Sequence, residues 1–194
     1  MLRSVIISGP PAIGKTTIAK GLGEEFGLKY LSGGDVLKAM AQDQGFETDR
    51  DDFWDTAEGM NFLNIRKVNP EFDKQVDQKL GKIFLTEDVI ITSYTLPWLV
   101  KDGIKIWLAG SHENSAKRMT MRDDISIKDA LEIVKKRYDE NKTLYHKLYG
   151  FNFGDDLSVF NAIINTDDLG PDQVLEQAKN AVKKYYDSQT ITKS

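Results

Sequence analysis

Short apolar runs alternate with longer amphipathic segments along this chain of 194 residues. The runs are rich in β-branched residues, end near glycine or polar residues, and have the length of buried strands. They occupy Ser4–Gly9, Leu28–Ser32, Asp88–Thr92, Ile104–Gly110 and Ala162–Thr166. Because helical segments separate them, the pattern predicts an α/β fold: a five-stranded parallel sheet with helices on both faces.

The segment that follows the first run has helical periodicity. Ile18, Leu22 and Phe26 recur at every fourth position within Thr16–Gly27, and glycine is a frequent helix terminator. A strand, a loop and a helix therefore open the chain.

Composition and charge narrow the class of protein. The chain has 40% hydrophobic and 29% charged residues, a net charge of −4 and no cysteine. These values are typical of one globular domain and exclude disulfide and thiolate chemistry. There is no excess of basic residues for nucleic-acid binding and no apolar run that could span a membrane. We expect a cytoplasmic monomer or homodimer that binds neither nucleic acid nor membranes.

The loop between the first strand and the first helix reads SGPPAIGKTT. It fits the pattern G-x-x-x-x-G-K-[ST], in which backbone N–H groups at a helix start cradle phosphate oxygens. The strand before it and the helix after it are the context that this motif requires. We assign nucleotide binding to Gly9, Pro10, Pro11, Ala12, Ile13, Gly14, Lys15, Thr16 and Thr17.

Two side chains of this loop have predicted roles in phosphoryl transfer. Lys15 would bridge the β- and γ-phosphates of ATP, and the Thr16 hydroxyl would be a ligand of Mg²⁺. The expected cofactors are therefore ATP and Mg²⁺, with a small anionic acceptor as the second substrate.

Three arginines in the second half of the chain suggest a lid over the nucleotide. Arg118 and Arg122 lie four residues apart on one helical face, and Arg137 lies on a second helical segment. Such a lid would exclude water and neutralise charge on the transferring phosphoryl group. The alternative is a solvated, charged helical hairpin.

Several segments resemble the archaeal cytidylate kinases of the nucleoside monophosphate kinase superfamily. They are ISGPPAIGKTT, YLSGGDVLKAMA, VNPEFDKQVD, IKIWLAG, SAKRM, DALEIVKKR and YHKLYGFNFGDDLSVFNAIINT. The resemblance implies an adenylate-kinase-like fold in a single P-loop kinase domain. Its core would comprise residues 1–34, 82–115 and 155–185, with an acceptor-binding insert at about 35–81 and a lid at about 116–150. It also implies a donor site formed by Gly9, Gly14, Lys15, Thr16, Arg118, Arg122 and Arg137.

The acceptor half departs from the pattern of that family. The family has an arginine where this chain has Lys38, and a pair of arginines where it has Gln78 and Lys79. A further family arginine at the end of the third strand is replaced by Tyr94, the last residue of Thr92-Ser93-Tyr94. Arginine binds a phosphate through forked hydrogen bonds that lysine, glutamine and tyrosine cannot reproduce. The joint change argues against CMP as the acceptor.

A different acceptor would place other residues at the site. An alcohol acceptor benefits from a carboxylate that takes its proton, and Asp35 follows the second strand at a suitable position. Asp35 could instead cap the next helix. The residues expected to contact the acceptor are Lys38, Lys79, Tyr94 and Trp98.

Three functions are therefore considered. The first is ATP-dependent phosphorylation of a small anionic alcohol, the 5-hydroxyl of mevalonate 3-phosphate in isoprenoid precursor synthesis, because the chain resembles that diverged archaeal kinase branch. The alternative is a cytidylate kinase that makes CDP from CMP. The further alternative is an ATP-dependent binding or assembly factor with weak turnover.

Overall fold

The computed structural model describes residues 3–46, 48 and 71–191, so much of the predicted acceptor-binding insert lies outside the described residues. The described strands are β1 (Val5–Ser8), β2 (Lys29–Ser32), β3 (Val89–Thr92), β4 (Ile104–Ala109) and β5 (Ala162–Asn165). The described helices are α1 (Lys15–Phe26), α2 (Gly33–Asp43), α3 (Glu71–Thr86), α4 (Leu96–Leu99), α5 (His112–Arg122), α6 (Ile127–Tyr149) and α7 (Pro171–Ile191).

The strands form one parallel sheet in the order β2-β3-β1-β4-β5. Strand β1 is central, with Ile7 opposite Thr92 of β3 and Ile106 of β4. Because the strands are parallel, the loops that follow β1, β2 and β3 meet at one edge of the sheet. The predicted fold class is confirmed, and each strand lies within one residue of its predicted bounds at either end.

Helices cover both faces of the sheet because successive residues of β1 point to opposite sides. Val5 and Ile7 pack in a core with α1 and α7, whereas Ile6 packs in a second core with α2 and α3. All four residues of β1 are buried. The central strand therefore has no face exposed to solvent, as expected for a sheet that lies between two helix layers.

A buried lysine fixes the segment that follows β3. Lys105 of β4 is 6% exposed, and its ammonium group donates to the carbonyl of Pro97 at 2.8 Å and to the carbonyl of Val100. Burial lowers the pKa of Lys105. These bonds hold the short helix α4 against the sheet, and α4 begins two residues after Tyr94.

Candidate active site

The phosphate-binding loop makes a tight turn directly after β1. Gly9 has φ 147°, and a Cβ atom there would lie 2.5 Å from the carbonyl oxygen of Leu108 in β4. Gly14 has φ 99° and precedes the first residue of α1. Both positions therefore need glycine, and the loop brings the N-terminus of α1 to the carboxyl edge of the sheet.

The N-terminus of α1 is suited to an anion. Its first turn carries no acidic side chain, and the free N–H groups and the helix dipole both favour negative charge there. Thr16 is exposed at this end of the helix, so its hydroxyl is accessible to a metal ion.

The Lys15 side chain is folded back onto its own loop. Its ammonium nitrogen donates to the carbonyl oxygens of Gly9 at 2.9 Å and Pro10 at 2.7 Å. The same nitrogen lies 4.4 Å from the centroid of the Tyr94 ring. Burial, and to a smaller extent the nearby positive charge of Arg137, lower the pKa of Lys15 to about 7.

Buried polar atoms without partners surround the loop. Among the described residues, Ser8 Oγ, Thr166 Oγ1 and Arg118 Nη1 are buried and make no hydrogen bond. Arg118 also donates through Nη2 to the carbonyl of Thr166 at 2.7 Å. Because buried polar atoms are nearly always paired, these atoms fit a site that holds a polar ligand such as a nucleotide.

The three arginines predicted to form a lid lie at different places in the structure. Arg118 of α5 lies against the end of β5, and Arg137 of α6 is near enough to Lys15 and Tyr94 for its positive charge to lower the pKa of both. Arg122 ends α5, and its side chain is outside the described part of the structure. The structure therefore brings Arg137 to the phosphate-binding loop, and Arg118 to the neighbouring strand end.

Asp167 joins two loops beside Arg118. Its carboxylate accepts from the backbone N–H of Ser111 at 2.8 Å and from Asn114 Nδ2 at 2.8 Å. These bonds lower the pKa of Asp167, with the backbone bond from Ser111 as the largest cause. Its only sequence signal is its position directly after the end of the β5 segment.

A cleft of about 350 Å³ opens beside Lys15 at the carboxyl ends of β2 and β3. Its walls include Thr92, Ser93 and Tyr94. Helix α3 contributes Asp73 and Asp77. The described part of the wall therefore contains two acidic residues, and Lys15 is the cation among its lining residues.

Asp77 is the centre of a buried hydrogen-bond network. It is 9% exposed, and its carboxylate accepts from the Thr95 hydroxyl and, at 2.6 Å, from the Tyr149 hydroxyl. Burial and the bond to Asp77 raise the pKa of Tyr149 well above its usual range. The network ties the end of α6 to α3 and to the segment after β3.

The sequence gives a weak indication that Asp77 needs hydrogen-bond partners. Phe72, Val76, Leu80 and Phe84 recur at every fourth position of α3 and are buried. Asp77 follows Val76 and so lies at the border of this apolar face. A carboxylate in that position needs partners, and the partners come from distant segments that no local pattern identifies.

Of the predicted acceptor residues, Tyr94 lines the cleft, and Lys38, Lys79 and Trp98 are not among its described lining residues. Lys79 pairs with Asp43 at 3.2 Å. Trp98 stacks on Phe151 with ring centroids 4.5 Å apart, within an aromatic cluster. Their contact with an acceptor stays a prediction.

Asp35 takes part in a capping box at the start of α2. Ser32 is the N-cap: its Oγ accepts from the Asp35 N–H at 3.2 Å, and the Asp35 carboxylate accepts from the Ser32 N–H at 2.7 Å. Asp35 is thus the third helical residue and not the cap itself. Its role as a base stays a prediction.

The fold and this site define a class: P-loop proteins that bind a nucleoside triphosphate and hold an acceptor in an adjacent cleft. Residues 4–168 match the group described as the cytidylate kinase-like family. The chain belongs to that family, and it is an ATP-dependent kinase.

Relatives with known names agree with the family match. The chain is 35% identical to a cytidylate kinase of Sulfurisphaera tokodaii over 176 residues, covering 88% of this chain and 89% of the relative. It is 31% identical to a cytidylate kinase of Ignicoccus hospitalis over 180 residues, covering 90% and 96%. These relatives favour the cytidylate kinase alternative, and they give no support for mevalonate 3-phosphate or isoprenoid synthesis.

Solved structures show the same fold at low identity. A gluconokinase from Sinorhizobium meliloti has a TM-score of 0.58 and 13% identity, covering 98% of this chain and 97% of that one. A shikimate kinase from Acinetobacter baumannii has a TM-score of 0.57 and 14% identity, covering 95% of each chain. No helix in the described ranges is long and apolar enough to cross a membrane.

Substituting Lys15 should separate activity from stability. We predict that Lys15→Met lowers kcat at least about 1000-fold, because the cation that meets the developing charge is lost. The melting temperature should stay the same or rise, because burial of this amine opposes its charged form. The matched control is Lys20→Met, an exposed position on the same helix. A folded Lys15→Met protein with near-wild-type turnover would contradict the assignment.

The Tyr149 hydroxyl should stabilise the fold in a pH-dependent way. We predict that Tyr149→Phe lowers the free energy of unfolding at pH 7 by about 1–3 kcal/mol, because buried Asp77 loses a donor. The raised pKa keeps Tyr149 neutral in the folded state while the unfolded tyrosine ionises near pH 10, so wild-type stability falls above that pH. The difference in the free energy of unfolding between the wild type and Tyr149→Phe should therefore become smaller above about pH 10. Urea denaturation from pH 7 to 11 measures it, and a constant gap would refute the proposed contribution.

Proposed function

We propose that the chain transfers the γ-phosphoryl group of ATP to a nucleoside monophosphate, with CMP as the preferred acceptor. The observation that carries the proposal is the cleft beside Lys15, whose α3 wall presents Asp73 and Asp77. The family match and the named relatives support the same acceptor class.

On the donor side, each residue has a defined task. The backbone N–H groups of the loop and the Lys15 ammonium would hold the β- and γ-phosphates, and Thr16 would hold Mg²⁺. Arg118 Nη1 is a buried donor that a nucleotide would satisfy. Arg137, near Lys15, would add positive charge where the transferring group carries negative charge.

On the acceptor side, phosphoryl transfer depends on how the monophosphate is positioned and does not require a base to remove a proton. A monophosphate oxygen is already ionised at neutral pH, so the attacking atom requires no base. Asp73 or Asp77 could accept a hydrogen bond from the exocyclic amine of cytosine. Uracil has an oxygen at that position, which a carboxylate repels, so the same wall would reject UMP.

A second candidate has its own supporting observation. Lys15 is the cation among the described cleft-lining residues, whereas Asp73 and Asp77 are acidic, and carboxylates near an acceptor phosphate are unfavourable. An anionic alcohol such as mevalonate 3-phosphate needs a base for its hydroxyl proton, and either carboxylate of α3 could take it. The replacement of family arginines by Lys38, Gln78–Lys79 and Tyr94 favours this candidate.

An acceptor panel with matched variants tests the proposal. ADP release is measured with CMP, UMP, AMP and mevalonate 3-phosphate, and we predict kcat/KM for CMP at least about 10-fold above UMP. Asp73→Asn should reduce the CMP preference by about 5- to 100-fold, because an amide can pair with either base edge. Asp187→Asn, on an exposed position of α7, is the control.

The other outcomes are equally informative. Fast transfer to mevalonate 3-phosphate with slow transfer to every nucleotide would replace the proposal with the second candidate. ADP release that no acceptor accelerates would favour an ATP-dependent binding or assembly factor. Equal rates of ADP release with CMP and UMP would show that the carboxylates of α3 do not distinguish cytosine from uracil.

A further inference from the structure

The segment that leaves β3 forms one wall of the cleft, and Asp77 of α3 holds it from the side. Ser93, Tyr94 and Thr95 line the cleft directly after the strand. The backbone N–H of Ser93 donates to the carbonyl of Ile7 in β1 at 3.2 Å, so the segment begins beside the strand that leads into the phosphate-binding loop. The position of these three residues therefore decides how this wall faces the loop.

Three buried side chains form a hydrogen-bond chain with one direction. The Thr95 hydroxyl donates to Asp77 Oδ1, so its oxygen must act as the acceptor toward Ser93 Oγ, which lies 3.2 Å away. Ser93 Oγ itself accepts from the backbone N–H groups of Thr95 at 3.2 Å and Leu96 at 3.0 Å. The hydroxyl protons therefore point from Ser93 to Thr95 and from Thr95 to Asp77.

The other carboxylate oxygen of Asp77 is bonded to α6. Oδ2 accepts from the hydroxyl of Tyr149, the last residue of that helix, at 2.6 Å. Each oxygen of Asp77 thus accepts from a different segment of the chain. Because an asparagine amide accepts through its oxygen only, Asn at this position could not make both bonds. The network therefore needs a carboxylate, and its two bonds fix the orientation of that group.

We propose that Asp77 is a positioning residue for phosphoryl transfer: it fixes residues 93–95 and the end of α6 against α3, and it does not distinguish acceptor bases. This inference rests on the proposed function, in which Asp73 or Asp77 accepts a hydrogen bond from cytosine, and it assigns that contact to Asp73. Asp73 lies one helical turn before Asp77 on the same face of α3 and also lines the cleft.

The proposal predicts that Asp77 affects every acceptor alike. Asp77→Asn should lower kcat/KM about 10- to 100-fold with CMP and with UMP, because hydrogen bonds to a charged group are lost. The ratio of the two kcat/KM values should change less than about twofold, whereas Asp73→Asn should change it about 5- to 100-fold. Asp187→Asn, on an exposed position of α7, is the control. A change of the ratio in Asp77→Asn as large as that expected for Asp73→Asn would overturn the proposal.

A double-mutant cycle tests whether Thr95 acts through Asp77. Thr95→Val removes the donor hydroxyl with almost no change of shape, and it should lower kcat/KM about 5- to 10-fold. In the Asp77→Asn protein the same substitution should lower kcat/KM less than about twofold, because the bond is already disturbed. Should Asp77→Asn fail to fold, the cycle is run between Thr95→Val and Tyr149→Phe, which remove the two donors to Asp77. Non-additive effects support the proposal, and additive effects would overturn it.

Hydrogen exchange without nucleotide separates this proposal from the proposed function. The backbone N–H groups of Thr95 and Leu96 donate to Ser93 Oγ, and they should exchange at least about 10-fold faster in Asp77→Asn than in the wild type. Tyr186→Phe is the control, because that hydroxyl bonds to the carbonyl of Arg3, which precedes β1.

The outcomes for the two proposals can be told apart. If CMP fails as an acceptor but the two N–H groups exchange faster in Asp77→Asn, the positioning role is supported, and the cycle is repeated with the acceptor that the panel identifies. Unchanged exchange of both N–H groups in Asp77→Asn would overturn the positioning role, even with CMP established as the acceptor.

Discussion

The positive charge of Lys15, held in a half-buried position, is the constraint on which the rest of this site depends. Burial, and to a smaller extent the charge of Arg137, lower the pKa of its amine to about 7, so nearby groups are needed that favour the charged form. Two loop carbonyls and the Tyr94 ring do this. The loop keeps that shape because Gly9 packs directly on β4. The fully buried strand β1 positions that glycine.

A few side-chain contacts link segments around the cleft that are distant in the sequence. Tyr94 joins the phosphate-binding loop to α6, because its ring lies against the Lys15 ammonium and stacks on Tyr145 of that helix. Tyr149, at the end of the same helix, reaches Asp77 of α3. Helix α6 therefore touches the donor side through one tyrosine and the acceptor side through another. A movement of α6 would change both halves of the site together, which suits a reaction that must exclude water.

The fold and the donor loop could be predicted from sequence because their signals are local. The strand bounds follow from short apolar runs, and Gly9, Gly14 and Lys15 follow from a contiguous motif with a known mechanism. The acceptor side could not be predicted as well, because its contacts join distant segments. Asp77 meets Tyr149 across 72 positions, and Trp98, predicted to contact the acceptor, stacks within an aromatic cluster.

The central claim is that the phosphate-binding loop and α6 converge on one nucleotide. Hydrogen exchange with and without ADP, Mg²⁺ and CMP tests it most directly. We predict slower exchange both in residues 9–17 and in the part of α6 around Arg137, with the α6 effect lost in Lys15→Met. Protection confined to residues 9–17 would contradict the account, because α6 would then be a solvated helix with no part in the site.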